Sequence, residues 1–283
     1  MRRSATVAVL LGAALAHARP ELSIDPLDPR HELVIDLRVE LPITIAAGAV
    51  LLGTYLSQDR YGPTTCRWCD TRSSLNALDA AGLQVFPSAH RAAAGTASDV
   101  LLDGVSPAFA LGLTLASSLD ATRGTRARYR ARRYGIDVLL LVEATTTAIS
   151  IDQLFKFTVQ RRRPGYIDEP TDAQRTVNGN LSFFSGHATQ TFVIASAAGT
   201  IASLRHERLA PLVWTLGLAV ATTTSMLRVA ANEHFVTDVL AGAVVGSAVG
   251  VIVPVLHRYR APLRLGGAAS AGGGLVTVSG LLD

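Results

Sequence analysis

The sequence predicts an all-α, polytopic membrane protein, a bundle of about five to six spanning helices. Three observations carry that expectation. The 283 residues are 49% hydrophobic and only 17% charged, with a mean hydropathy of +0.32, whereas about a quarter of an ordinary soluble domain is charged. The apolar residues fall in blocks long enough to cross a bilayer. Arginines gather at the ends of those blocks, as membrane topology requires.

The N-terminus, residues 1–18, has the pattern of a cleaved secretory signal. Arg2 and Arg3 form a basic head, Ala5 to Ala16 an apolar stretch, and Ala16-His17-Ala18 a small-residue cleavage site. Residues 19–96 form an N-terminal region with one short apolar segment, Leu41–Leu56, interrupted by Pro42, Gly48 and Gly53. A cleaved signal leaves the chain outside, so this segment is expected not to span. The helical core, residues 97–262, holds five spans: Ala97–Ser117, Ile136–Phe155, Ala188–Leu204, Leu209–Leu227 and Val236–Leu256.

The connections set the orientation. Arg123, Arg126, Arg128, Arg130, Arg132 and Arg133 follow the first of these spans, Arg205 and Arg208 the third, and Arg258, Arg260 and Arg264 the fifth. By parity all lie on one side, which is then cytoplasmic. The expected location is a bacterial-type inner membrane, with the opposite side facing the periplasm or exterior. The partners expected are membrane lipids and not nucleic acid, since the formal net charge is only +4 and topology accounts for the arginines.

Within the spans, Glu143 is a functional candidate by position, and a structural group bonded to nearby Thr or Ser is the expected outcome. Gly242, Gly246 and Gly250 form a small-xxx-small ladder for close helix approach. Cys66 and Cys69 are too few to close a zinc site, and outside the cytoplasm they are expected to form a disulfide. Residues 263–283 are a Gly/Ala-rich tail, expected to be flexible.

Three stretches on the presumed outer side carry the chemistry. The first is Lys156, the only lysine of the chain, with Arg163-Pro164. The second is Ser185-Gly186-His187, directly before a span. The third is Arg228, His234 and Asp238. Helix N-termini bind anions through free N–H groups, arginine binds phosphate oxygens in pairs, and lysine acts as a point charge. His234 and Asp238, four residues apart on one helical face, let a carboxylate hold one ring nitrogen and free the other as nucleophile. His187 supplies a general acid. The set describes a phosphoryl-transfer site at helix ends on the non-cytoplasmic face, with cationic side chains in place of a metal or other cofactor.

These stretches resemble the signature of the type 2 phosphatidic acid phosphatase/vanadium haloperoxidase superfamily, in its membrane lipid phosphatase branch. They stand here as Lys156-x6-Arg163-Pro164, Phe184-Ser185-Gly186-His187 and Leu227-Arg228-x5-His234-x3-Asp238, with Phe184 in place of proline and Leu227 in place of serine. The resemblance implies that His234 attacks phosphorus, that Asp238 orients it, and that His187 serves the leaving oxygen and then water. It also implies that Lys156, Arg163, Ser185, Gly186 and Arg228 hold the phosphate. The implied substrate is a lipid-linked phosphate monoester or diphosphate of the phosphatidate, phosphatidylglycerol phosphate or undecaprenyl diphosphate class. Vanadate-dependent halide oxidation and non-catalytic binding of lipid phosphate are the alternatives. Arg161 and Arg162 match no position of the signature and are expected to be solvated. The polar loop 167–180 is a candidate lid.

Overall fold

The computed structural model describes residues 32–85, 88–168, 178–258, 264–270 and 273–279. The proposed signal segment, residues 1–18, and most of the 167–180 loop lie outside these. Asp36 caps α1 (Leu37–Tyr61) by accepting the Arg38 N–H through its side chain. A short α2 (Ala77–Val85) follows. Next, α3 (Arg91–Val100) passes through a π-helical segment at Leu101–Val105 into α4 (Ser106–Ala121), so the predicted 97–117 span lies inside a single helical run. The remaining helices are α5 (Ala127–Val159), α6 (Gly186–Leu204), α7 (Ala210–Ala230) and α8 (Val236–Leu256). Five helical stretches among the described residues are long and apolar enough to cross a membrane: Arg38–Gln58, Arg91–Ala121, Ala127–Val159, Ala210–Ala230 and Val236–Leu256.

Helix α6 is the axis of the bundle and packs against α4, α5, α7 and α8. Its composition explains the position. Ala188, Ala195, Ala197, Ala198, Gly199 and Ala202 keep its surface thin, and most of its residues are buried. With no hydrophobic force between helices in lipid, such small residues provide association through close backbone packing. The α8 ladder meets this surface. A side chain at Gly242 would come within 2.7 Å of the Ser185 carbonyl, and one at Gly250 within 2.7 Å of the Val193 carbonyl. Gly199 admits the indole of Trp214 from α7, whose Nε1–H donates to Ser203 at 3.0 Å.

The two ends of the bundle differ. At one end, buried ion pairs join the helices. Arg205 donates to Asp137 at 2.6 Å, Arg133 pairs with Glu207 at 3.1 Å, and Glu207 also accepts from Ser117. Arg133 and Arg205 are therefore enclosed structural groups rather than free topological charges, which corrects the expectation for these two. The other end carries the three motif stretches.

Helix α1 runs from one end to the other. Before it, the Val34 N–H donates to the His257 carbonyl at 2.9 Å, and Glu32 pairs with Arg205 at 3.2 Å. Along it, Ser150 donates to the Ala47 carbonyl at 2.7 Å, and near its end Gln58 donates to Asn178 beside the motifs. Against the expectation that Leu41–Leu56 does not span, the helix runs on through Pro42 for 25 residues and is long and apolar enough to cross a membrane. Among the described residues, these five stretches and α6 make six helical runs along the bundle, and the residues before α1 lie at the arginine-rich end. The Glu143 side chain also differs from expectation, facing Glu40 and His257 rather than Thr or Ser. In the tail, β1 (Arg264–Ser270) and β2 (Gly273–Ser279) pair as an antiparallel hairpin, where composition predicted a flexible end.

This arrangement is checked by topology reporters fused after residues 34, 69 and 206. Reporters at 34 and 206 should read the same side and the reporter at 69 the opposite one. Agreement between 34 and 69 would contradict a spanning α1.

Candidate active site

Helix ends assemble the site. Gln160 closes α5 in the left-handed conformation (φ 51°), its N–H donating to the Lys156 carbonyl, and this turns the following residues back across the bundle end. Lys156, in the last turn of α5, pairs with Asp152 one turn earlier at 2.8 Å. Ser185 is the N-cap of α6, and Gly186 is its first residue. A side chain at Gly186 would fall 2.9 Å from Lys156 Nζ and 3.1 Å from Asp152 Oδ2, so only glycine lets the lysine lie against this helix start. Helix starts favour anions through free N–H groups and the dipole.

Arg163 donates to the Asn178 carbonyl at 2.8 Å and to the Glu233 carboxylate at 2.6 Å, and its Nη1 stands 3.5 Å from His234 Nε2. Since a guanidinium only donates, the His234 nitrogen facing it carries the lone pair. The proton then sits on Nδ1, directed toward Asp238. Burial, together with Arg163, Arg228 and Lys156, holds His234 well below the ordinary imidazole value. The ring is therefore neutral at neutral pH, as a nucleophile requires.

Asp238 Oδ2 lies 3.7 Å from His234 Nδ1, beyond hydrogen-bond length. Catalytic contacts are often loose before substrate binds. The carboxylate itself is held from three directions: Ser182 donates to it at 2.5 Å, the Phe235 N–H at 3.1 Å and Arg161 at 2.5 Å. Arg228 donates to Ser98 at 3.2 Å and to Asp99 at 3.3 Å, and Asp99 also lies 2.8 Å from His187 Nε2. The structure thus places Lys156, Arg163, Ser185, Gly186, His187, Arg228, His234 and Asp238 at one end of the bundle. The substitution of Phe184 for proline leaves a buried aromatic at that position, packed on Phe155 with ring centres 5.4 Å apart.

Several groups at this end belong to no motif. Arg161, expected in solvent, is fully buried. It donates to Asp70 and Asp79 at 2.7 Å each, to Thr237 at 2.7 Å and to Asp238, and its guanidinium carbon lies 4.2 Å from the Trp68 ring centre and 4.0 Å from that of Phe235. Asp79 also receives the Thr237 N–H at 2.9 Å. Cys66 and Cys69 are joined by a disulfide, and Trp68, inside that small ring, accepts the Arg162 N–H through its carbonyl at 3.1 Å. The N-terminal region therefore supplies Asp70 and Asp79 to this end of the bundle, and α3 supplies Ser98 and Asp99. An aspartate has no positional signature of its own; the one available signal was the run of three arginines, since three adjacent cations need partners.

A cavity of about 610 Å³ opens beside these groups. Lys156, Gly186 and His187 line it together with Asp99, Asp103 and Asp152, while Leu51, Leu52 and Tyr55 of α1, Leu102 and Ile149 form apolar wall. His234 does not line it and is almost wholly enclosed.

The family model described as the PAP2 superfamily matches residues 137–262, a stretch that contains all three motifs. Among solved structures, a transmembrane PAP2 type phosphatidylglycerolphosphate phosphatase from Bacillus subtilis is similar at 16% identity, with a TM-score of 0.46, over 77% of this chain and 94% of that one. No curated protein matches the chain.

The Arg161 cluster gives a direct test. Arg161→Gln leaves buried carboxylates without their cation and should lower stability by about 3–5 kcal/mol, read as a falling melting temperature. Arg72→Ala breaks an exposed pair with Asp168 and should leave it unchanged. Equal behaviour of the two variants would refute the cluster. The helical region from residue 137 to residue 262, which carries this site, is the part of the chain that matches the PAP2 superfamily model.

Proposed function

We propose that the chain is a phosphatase acting on a lipid-linked phosphate monoester or diphosphate, through a phosphohistidine at His234. The carrying observation is the neutral, enclosed His234 under the field of Arg163, Arg228 and Lys156, at the bundle end where a cavity lined by Lys156, Gly186 and His187 opens. The three cations would offset charge on the equatorial phosphate oxygens, which is the main demand of phosphoryl transfer. His234 Nε2 attacks phosphorus and the bond to the leaving oxygen breaks. His187, its pKa lowered to about 4 by burial and Arg228 before substrate arrives, passes to that oxygen the proton it takes up when the phosphate anion binds beside it. Water then attacks the N–P bond while His187 takes its proton, releasing phosphate and restoring both histidines. Asp238 orients His234 and offsets the charge that the ring gains when phosphorylated.

The cavity supports an amphiphilic substrate. A phosphate headgroup meets Lys156 and Gly186, and an acyl or prenyl chain lies along Leu51, Leu52 and Leu102. The excess of Arg123, Arg126, Arg128, Arg130, Arg132 and Arg208 at the far end supports an orientation with the site on the non-cytoplasmic side. For a bacterial-type inner membrane that is the periplasmic face. Phosphatidate, phosphatidylglycerol phosphate and undecaprenyl diphosphate all fit this description.

Phosphate release from these three lipids and from a water-soluble ester, measured in EDTA, tests the reading. Lipid turnover should persist, exceed that of the soluble ester, and vanish in His234→Ala. Undiminished release by that variant, or vanadate-dependent halide oxidation by a protein that releases no lipid phosphate, would overturn it.

A further inference from the structure

At the end of the bundle away from the site, three helices bring together Glu40 of α1, Glu143 of α5 and His257 just after α8. We propose that these three residues form a binding site for a divalent transition cation of the zinc class. Glu143 and His257 are more than nine-tenths buried, and Glu143 Oε2 and His257 Nε2 are each enclosed without a hydrogen-bond partner. Both atoms point into the cluster, so the site is more than a group of carboxylates.

The chemistry of the donors fits a cation. His257 Nδ1 lies 2.7 Å from the Val253 carbonyl, which only accepts, so Nδ1 carries the proton. Its Nε2 lone pair is then presented to the two carboxylates, and this backbone anchor of the second nitrogen is the usual way a ligating histidine is oriented. Nε2 stands 3.2 Å from Glu40 Oε1 and 3.7 Å from Glu143 Oε2, and the three ligand atoms lie within 4.8 Å of one another. A tetrahedral zinc with bonds of about 2.0–2.2 Å separates its ligands by about 3.3–3.6 Å, a range that falls between the two observed distances from Nε2. A divalent cation bound there would hold both carboxylates in their ionised form and neutralise them together in a mostly enclosed place.

The ligands are more than a hundred residues apart in sequence, so no spacing motif announces them. Glu143 lies about 20 Å along α5 from Lys156, which separates this centre from the phosphate chemistry. Its consequence is structural. Helix α1 packs chiefly on α5 and forms one wall of the substrate cavity. A bound cation ties its first turn to α5 and to the end of α8.

The test uses the full-length protein, free of any affinity tag and purified in detergent without chelator. Metal analysis should find about one zinc per chain, and added Zn²⁺ should raise the melting temperature of chelator-treated protein by about 5 °C or more. Glu143→Gln should abolish both effects. Glu40→Gln, on the thinly packed α1, should do the same with the bundle interior untouched, so failure of the first variant to fold does not decide the matter. Lipid phosphatase turnover below the thermal transition should survive chelation, which separates this centre from the catalytic one. Protein without bound zinc, or a Zn²⁺ shift equal in wild type and Glu40→Gln, would overturn the proposal and leave the three residues as an ion-paired cluster.

Discussion

A buried guanidinium must have every donor matched, and Arg161 is the point at which this molecule meets that demand. Its side chain is wholly enclosed and bonds Asp70, Asp79, Thr237 and Asp238 while lying against Trp68 and Phe235. Removing an enclosed charge from water costs several kcal/mol unless such partners are present. The partners come from three separate parts of the chain: the disulfide-closed loop, the first turn of α2 and the first turn of α8. Satisfying Arg161 therefore docks the N-terminal region on the helical core. It also fixes one oxygen of Asp238, whose other oxygen faces His234. Placement of His234 thus depends on residues outside the stretch that the family model matches.

A second constraint acts through the backbones of α6 and α8. Glycines at every fourth position of α8 bring it against α6 where any side chain would collide. The contact begins at the Ser185 carbonyl, and the Ser185 N–H in turn donates to the Asp238 carbonyl at 3.1 Å. The same packing that holds the two helices together therefore sets the distance between the start of α6 and His234 before α8. Fold and site share this seam, so a bulkier residue at Gly242 would disturb both.

The core of the fold and the motif residues were legible because they obey short-range rules. Apolar blocks, a fourfold glycine period and helix-end motifs all sit within a few turns of chain. The rest required contacts between distant residues. Leu41–Leu56 looked too short because its flanks, Leu37–Val39 and Ser57–Tyr61, mix polar with apolar residues; bonds from Val34, Ala47 and Gln58 to other elements show the full helix. Arg161 read as a solvated cation because nothing nearby in sequence could neutralise it, and its carboxylates lie more than seventy residues away on either side. Arg133 and Arg205 read as topological charges for the same reason. Asp99 joins His187 and Arg228 only because α3 folds against α7.

The central claim is that this assembly activates His234 as a nucleophile toward phosphorus. The most direct measurement is rapid chemical quench of the purified protein during the first turnover of a lipid phosphate, followed by site mapping of bound phosphate by mass spectrometry. The account predicts a transient, acid-labile and alkali-stable phosphate on His234. Full turnover with no phosphorylated protein, or with phosphate on a serine or aspartate instead, would contradict it.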